Sequence, residues 1–284
     1  MITMNIIGAG QVGQTLGYLL VSARQVRLLG VVNSVEESAV TAIRYIGQGL
    51  PYASIETLPH ADLTLIATPD NKIAEVATRL EKNPHLQAED VVFHCSGGLN
   101  SDVLAGLSPL AVRIASMHPM MSFKHVPLSV EQYQNVPCAL EGDTPAVQML
   151  MPLLTAIGSW VYGIDKGYKT LYHVAGVLAS NYVVTLAQHA QTCLLAAGLE
   201  ARQAEQVLRR LLESTCHNIL HASQPKMALT GPLQRGDSET ITKHLKILPE
   251  ALQGLYRVLG ITTLPLTTLN KKQQQALVTL LSRT

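Results

Sequence analysis

A glycine pattern near the start of the chain constrains the fold more than any other feature. The short apolar run Met4–Ile7 is followed at once by Gly8-Ala-Gly-Gln-Val-Gly13, and Gln14–Ala23 then carries apolar residues at helical spacing. This order predicts a strand, a tight turn and a helix, which form the first unit of a dinucleotide-binding sheet. A helix that starts directly after such a turn presents free N–H groups and a positive dipole end to phosphates.

We therefore expect this turn to hold a dinucleotide cofactor. The predicted cofactor-binding residues are Gly8, Ala9, Gly10, Gln11, Val12 and Gly13. The alternative, a glycine turn that binds nothing, is disfavoured by the strand and the helix on either side of it.

The residues after the second predicted strand, Val26–Val32, bear on the type of cofactor. An NAD site usually places Asp or Glu there to hold the ribose 2′-hydroxyl group. This chain has Asn33 and Ser34 instead, which removes the repulsion against a 2′-phosphate. NADP is therefore the expected cofactor, with NAD as the alternative, and the nearest basic residues are Arg24, Arg27 and Arg44.

Further apolar runs recur along the first half, each followed by turn residues. They are Leu63–Ala67, Val91–Phe93, Ile114–Ser116 and Val136–Leu140. Alternation with helical segments predicts a doubly wound α/β sheet with ligands at the carboxyl ends of its strands. Thr68, Pro69, Ser96 and His118 follow these runs and are candidate site residues, and capping of loops is the alternative role for them.

The second half of the chain reads as an all-helical domain. A chain of 284 residues exceeds what one core usually supports, and strand patterns stop after Asp165. We expect a Rossmann dinucleotide-binding domain over residues 1–165 and an all-helical domain for substrate binding and dimerisation over residues 166–284. The predicted helices are Lys169–Ala197, Arg202–Ala222 and Ser238–Leu259.

The first of these helices has no charged residue from Thr170 to Leu199. At about 100° per residue, one stripe of it is polar, formed by Thr170, His173, Asn181, Thr185, Gln188 and Thr192. We interpret His173 and Asn181 as facing the cofactor cleft, and the alternative is a stripe satisfied inside a core. The segment is long enough to span a bilayer, but its polar residues favour a helix buried in a protein or dimer core.

A loop dense in turn residues, Ala228–Asp237, lies beyond the second predicted helix. Its composition indicates that it places Thr230, Arg235 and Asp237, which we expect to bind substrate. The alternative is that Asp237 or Ser238 caps the following helix.

Composition excludes several classes of function. Basic and acidic residues nearly balance, at 21 and 20, and aromatic residues are 4%, so we expect neither nucleic acid nor a membrane as partner. The scattered cysteines and the strand-like start predict a cytoplasmic protein. His217 and His221 have the spacing of zinc ligands, but Asn218 stands where a general-base Glu would be, so no metal is expected.

The charge balance differs between the two halves. Residues 1–165 carry 8 basic and 14 acidic side chains, whereas residues 166–284 carry 13 basic and 6 acidic ones. Either the two domains have complementary surfaces, or the basic half helps to hold an anionic substrate.

Several segments together resemble one family. They are Gly8–Gly13, His94-Cys-Ser-Gly97, Ser116-Met-His-Pro119 with Ser122-Phe123, Leu171-Tyr-His-Val-Ala175 with Ser180-Asn181, and Ala228-Leu-Thr-Gly-Pro232 with Arg235-Gly-Asp237. They resemble the bacterial Rossmann-like proteins with a C-terminal helical domain of unknown function. That family is similar in architecture to pyrroline-5-carboxylate reductases, deazaflavin-dependent NADP oxidoreductases and 6-phosphogluconate dehydrogenases.

The resemblance implies an NADP-type oxidoreductase that dimerises through its helical domain and holds a small substrate between its domains. Ser96 and His118 would lie near the nicotinamide, and His173 and Asn181 would face it from the helical side.

We expect hydride transfer to or from a C=O or C=N group. His173 is the expected proton donor, because imidazole titrates near neutral pH, with His118 as second choice. Asn181 and Ser96 would orient the reacting group, and Arg235 would hold a substrate carboxylate or phosphate. The rival hypothesis is a dinucleotide- or metabolite-sensing protein without turnover.

Overall fold

The fold is known from a computed structural model, which describes residues 1–282. These residues form two compact units, Met1–Ser180 and the residues from Asn181 onward. The first unit therefore ends later than the predicted boundary after residue 165, because the first turns of the long helical segment pack with the sheet.

A single sheet of eight strands forms the centre of the first unit. The strands are β1 (Ile2–Ile7), β2 (Val26–Val32), β3 (Leu50–Pro51), β4 (Leu63–Ile66), β5 (Val91–His94), β6 (Arg113–Pro119), β7 (Val136–Gly142) and β8 (Ser159–Gly163). Their order across the sheet is β3-β2-β1-β4-β5-β6-β7-β8. The predicted doubly wound sheet is thus confirmed.

The sheet is parallel from β3 to β6 and reverses direction at β7. β7 pairs antiparallel with β6, and β8 runs parallel to β7. The chain therefore leaves β8 at the amino ends of β1 to β6, opposite the edge where a dinucleotide-binding sheet holds its ligands.

Six helices belong to this unit. They are α1 (Gln11–Ser22), α2 (Glu36–Ile46), α3 (Asp70–Leu80), α4 (Val126–Glu131), α5 (Thr144–Ala156) and α6 (Lys169–Gly176), and a 3₁₀ helix covers Ser101–Leu110. Apolar cores lie on both faces of the sheet. Leu16 and Leu65 belong to one core, whereas Ile73 and Val92 belong to the other.

The second unit is all-helical, as predicted. Its helices are α7 (Tyr182–Ala196), α8 (Ala201–His221), α9 (Gly231–Arg235), α10 (Ser238–Ile247), α11 (Glu250–Thr263) and α12 (Lys271–Leu281). Ile241, Leu245 and Leu277 lie in its core.

Two predicted helices are interrupted. The helix expected over Ser238–Leu259 is two helices, because Leu248 precedes Pro249 and is extended, with ψ 135°. The helix expected over Lys169–Ala197 contains a π-helical turn at Val177–Asn181, between α6 and α7.

Candidate functional site

The glycine turn after β1 depends on two glycines. Gly8 has φ +89°, and a Cβ there would lie 2.8 Å from the backbone nitrogen of Thr68. A Cβ on Gly13 would lie 2.6 Å from the carbonyl oxygen of Gly8. Both contacts involve backbone atoms, so these positions keep α1 close against β1 and β4.

Gly10 is different, because no atom of the described residues lies within 4 Å of the place its Cβ would take. The protein itself therefore has no need of a glycine there, whereas an approaching phosphate would. Gly10 is the N-cap of α1 and has no side chain to bond the first N–H groups of that helix. Those N–H groups remain directed at the open space.

Thr68 adds a polar atom to this end of the sheet. Its Oγ1 is buried without a hydrogen-bond partner among residues 1–282. Since Thr68 packs against Gly8, an unpaired hydroxyl beside the turn fits a ligand that supplies the missing partner.

Asn33 supports the turn from the end of β2. Its Oδ1 accepts the N–H of Ala9 at 2.6 Å, and its Nδ2 donates to Oγ of Ser38 at 3.0 Å. This amide therefore braces the turn, and Ser34 beside it is exposed. The basic residues named above lie elsewhere: Arg24 and Arg27 are at the amino end of β2, and Arg44 is in the last turn of α2.

Ser96 organises the turn that follows β5. Its hydroxyl donates to Oδ2 of Asp70 at 2.7 Å and accepts the N–H groups of Gly98 and Leu99 at 3.2 and 2.9 Å. One donor and two acceptor positions are all that a hydroxyl offers. Ser96 therefore shapes the turn, and its geometry does not support the predicted role of orienting a substrate.

His118 and His173 meet at this turn. Their rings are edge to face with centroids 5.8 Å apart. A Cβ on Gly97 would lie 2.6 Å from Cδ2 of His173 and 2.7 Å from Nε2 of His118. The missing side chain at Gly97 is therefore what lets both imidazoles reach the turn.

The surroundings of His118 lower its pKa. Burial lowers the pKa of His118 to about 4, with smaller contributions from the charges of His173 and Lys169. His118 is thus neutral at pH 7, and its Nδ1 is buried without a partner among the described residues. A Cβ on Gly98 would lie 3.6 Å from Nδ1 of His173 and 4.0 Å from Oδ2 of Asp70. The Asp70 carboxylate and the His173 imidazole therefore lie on either side of Gly98.

A pair of tyrosines closes the other side of His118. The ring of Tyr172 packs edge-on against His118 at 5.6 Å, and the hydroxyl of Tyr162 donates to that of Tyr172 at 3.0 Å. Burial raises the pKa of Tyr172 above its usual range, so this phenol remains protonated.

A buried ion pair that supports this cluster was not predicted from the sequence. Lys169 is 1% exposed beneath the imidazoles and pairs with Glu141. One signal was available, because Lys169 stands four residues before His173 on the same helix face. Charges at helix starts are normally exposed, which is why this one was not singled out.

The remaining predicted residues lie in the second unit. Asn181 ends the π-helical turn, and Arg235 is exposed at the end of α9. Thr230 is the N-cap of α9 but makes no side-chain capping bond. Asp237 caps α10, since it accepts the N–H and the hydroxyl of Thr240 at 3.0 and 2.7 Å. The capping alternative thus describes Asp237, and the substrate roles of the others remain predictions.

Two patterns in the sequence concern a metal site and a membrane span: the histidine pair of α8 and the charge-free helical segment. Within residues 1–282, no group of three or more His, Cys, Asp or Glu side chains is placed to hold a metal ion. Nδ1 of His221 lies 2.7 Å from the carbonyl oxygen of His217. The helical segment Lys166–Ala196 is long and apolar enough to cross a membrane, with mean hydropathy 1.2, and none of its most apolar window is buried. It is therefore not buried within this chain, and the alternative of a dimer core stays a prediction.

Family models match both halves of the chain. Residues 1–119 match a Rossmann-like domain, and residues 136–263 match a domain of unknown function, DUF2520. The resemblance drawn from the sequence motifs is thereby confirmed. A search among curated proteins finds no match.

Solved structures share the fold. A Bacteroides fragilis protein provisionally classed as an NADP oxidoreductase aligns over 93% of this chain and 98% of its own, with TM-score 0.77 and 22% identity. A Thermotoga maritima protein aligns over 93% and 97%, with TM-score 0.72 and 23% identity. The pyrroline carboxylate reductase of Plasmodium falciparum, solved with NADP bound, aligns over 99% and 98%, with TM-score 0.60 and 12% identity.

Proposed function

We propose that this chain, which joins a Rossmann-like domain to a DUF2520 domain, is an NADP-dependent oxidoreductase acting on a small C=O or C=N compound. One observation carries the proposal: two imidazoles meet over Gly97 at the same sheet edge as a glycine turn open to a phosphate. Structures that share the fold include a reductase solved with NADP, which supports this choice of cofactor.

The residues of the turn fit such a cofactor. The open space at Gly10, the first N–H groups of α1 and the unpaired hydroxyl of Thr68 would hold the pyrophosphate and the adjacent ribose. When bound, the cofactor supplies or accepts the hydride. The protein then has to position the substrate carbon, exclude water, and supply a proton in the reduction or accept one in the oxidation.

His173 is the proposed proton donor to the substrate oxygen or nitrogen. His118 is a poor donor at neutral pH, because its pKa is lowered to about 4. A neutral His118 can instead hydrogen bond to the reacting group, for which its partnerless buried Nδ1 or its Nε2 near Gly97 is available. Asp70 shapes the turn through Ser96 and adds negative charge beside His173.

Calorimetric titration with NADPH and then NADH tests the cofactor assignment. We expect NADPH to bind more tightly, although Glu36 and Glu37 begin α2 close to Ser34, which is why both are titrated. Binding of neither at millimolar concentration would refute the proposal.

Oxidation of NADPH in the presence of carbonyl and imine compounds tests turnover. We expect the His173→Gln variant to lose on the order of 100-fold in kcat, the usual share of one positioned acid. The His85→Gln variant, at an exposed histidine, is the matched control and should retain full activity. Tight NADPH binding without turnover of any such compound would favour the sensing hypothesis instead.

We also propose that the charge-free helical segment is covered by a second copy of the chain. Large apolar side chains are exposed along it, at Leu171, Leu178, Tyr182 and Val184. Light scattering at micromolar concentration should give a dimer, and Leu178→Glu should shift it towards a monomer. A wild-type monomer would contradict the proposal, and binding of that monomer to lipid vesicles would identify a membrane as the covering surface.

A further inference from the structure

A row of buried polar side chains crosses three neighbouring strands of the sheet. His94 on β5 is in register with Ser116 on β6, and Ser116 is in register with Glu141 on β7. All three side chains are buried, with exposures of 0%, 0% and 6%. Because neighbours in register point to the same face of a sheet, the row forms one continuous polar strip beneath α6.

Lys169 at the start of α6 ends in this row. Its ammonium donates to Oγ of Ser116 and lies 3.6 Å from Oε1 of Glu141. The same carboxylate accepts the N–H and the hydroxyl of Ser101 at 2.8 and 2.6 Å. The buried ion pair thus has the additional hydrogen bonds that such a pair requires in an apolar interior.

The hydrogen bonds of the row run in one direction. Burial lowers the pKa of His94 to about 4, so this histidine is neutral. Its Nε2 donates to the carbonyl oxygen of Asn100 at 3.1 Å, which leaves Nδ1 as an acceptor for Ser116 and for the N–H of Ser96. The oxygen of Ser116 accepts a hydrogen bond from the ammonium of Lys169. Its O–H is therefore free to donate to Nδ1 of His94.

Both walls of the imidazole cluster are tied to Lys169. One wall is the turn from Ser96 to Leu99, which is held by the N–H of Ser96 on His94. The other wall is His173, which stands one helical turn after Lys169 on the same face of α6. Lys169 itself is too deeply buried to touch a ligand at the sheet edge.

We propose that Lys169 is a positioning residue: by ending in the row His94–Ser116–Glu141, it fixes α6 so that His173 rests on Gly97 opposite His118. Only the expected effect of Lys169 on catalysis rests on the proposed function. The arrangement of the two imidazoles can be measured whether or not the protein has an oxidoreductase activity.

The experiment compares two lysines by NMR on full-length protein with labelled histidines. In wild type, we expect cross-relaxation between the rings of His118 and His173. Lys169→Met should remove these cross-peaks. Lys166→Met is the matched control, because Lys166 is exposed and pairs with Asp102 at the surface, and it should leave the cross-peaks unchanged.

Binding and turnover then separate a positioning role from a general loss of structure. Since Lys169 does not touch the glycine turn, Lys169→Met should bind NADPH within about twofold of wild type and lose on the order of 100-fold in kcat with any substrate found, as expected for misplaced groups. A failure of wild type to bind NADPH would refute the proposed function but would leave the NMR result to decide this inference.

A second variant covers the case in which Lys169→Met does not fold. Lys169→Met combined with Glu141→Gln removes both buried charges and keeps an acceptor for Ser101. We expect this double variant to fold and to show the same loss of the imidazole cross-peaks. Unchanged cross-peaks between His118 and His173 in either folded variant would overturn the inference.

Discussion

At the scale of single residues, the candidate site depends on a missing side chain. Gly97 has neither a positive φ nor a turn that demands glycine, yet a Cβ there would meet His173 at 2.6 Å and His118 at 2.7 Å. The segment His94-Cys-Ser-Gly97 includes this glycine, but the sequence does not show why a glycine is needed there. The reason for it became visible only when β6 and α6, which are distant in sequence, were placed beside the same turn.

The first prediction concerns this position. Gly97→Ala should destabilise the protein by about 1–3 kcal/mol, as overpacking does, because two ring systems must move. Urea denaturation measures the change. Gly106→Ala is the control, since nothing among the described residues lies within 4 Å of its Cβ position, and it should change stability by less than about 0.5 kcal/mol. Equal effects of the two substitutions would contradict the assigned role of Gly97.

At the scale of elements, six of the eight strands were predicted from the sequence, whereas β3, β8 and the breaks in the helices were not. Strands buried on both faces give continuous apolar runs that end in turn residues, which is how β4, β5 and β7 were found. The π-helical turn at Val177–Asn181 contains neither Gly nor Pro, so no local signal marks it. The proline itself marks the break at Pro249 in the sequence. The apolar periodicity on both sides of it nevertheless favoured one continuous helix.

The second prediction separates two glycines at the junction of β1 and α1. Gly10→Ala should leave the free energy of unfolding unchanged and weaken NADPH binding at least about tenfold, because its Cβ would fill the space meant for a phosphate. Gly13→Ala should lower both the free energy of unfolding and the affinity for NADPH, since its Cβ would meet the carbonyl oxygen of Gly8. Calorimetry and urea denaturation on the same samples measure the two effects. Wild-type affinity in Gly10→Ala would place the phosphates elsewhere.

At the scale of the whole molecule, two buried histidines make stability depend on pH. His94 and His118 have folded-state pKa values of about 4, against 6.5 for an exposed imidazole. Between these values the unfolded chain binds more protons than the folded one, so stability falls as the pH falls. The stabilisation is complete above pH 6.5 and is lost progressively towards pH 4.

The third prediction gives the size of this effect. From pH 7 to 5, the free energy of unfolding should fall by about 2 kcal/mol for each of the two histidines. Urea denaturation at pH 7, 6 and 5 measures it in a range where most carboxylates remain ionised. A flat profile over this range would mean that the two imidazoles accept protons in the folded state.

The antiparallel seventh strand has a consequence for modularity. The DUF2520 match begins at residue 136, so β7 and β8 belong to it, yet both strands hydrogen bond into the sheet that the Rossmann-like match begins. Cutting the gene between the two matches would give two incomplete products. The first would have an unpaired sheet edge at β6, and the second would contain β7 and β8 without the other strands of the sheet. His118 would remain in the first product, and His173 would leave with the second. Neither half can therefore be exchanged or expressed alone without separating the two imidazoles of the candidate site.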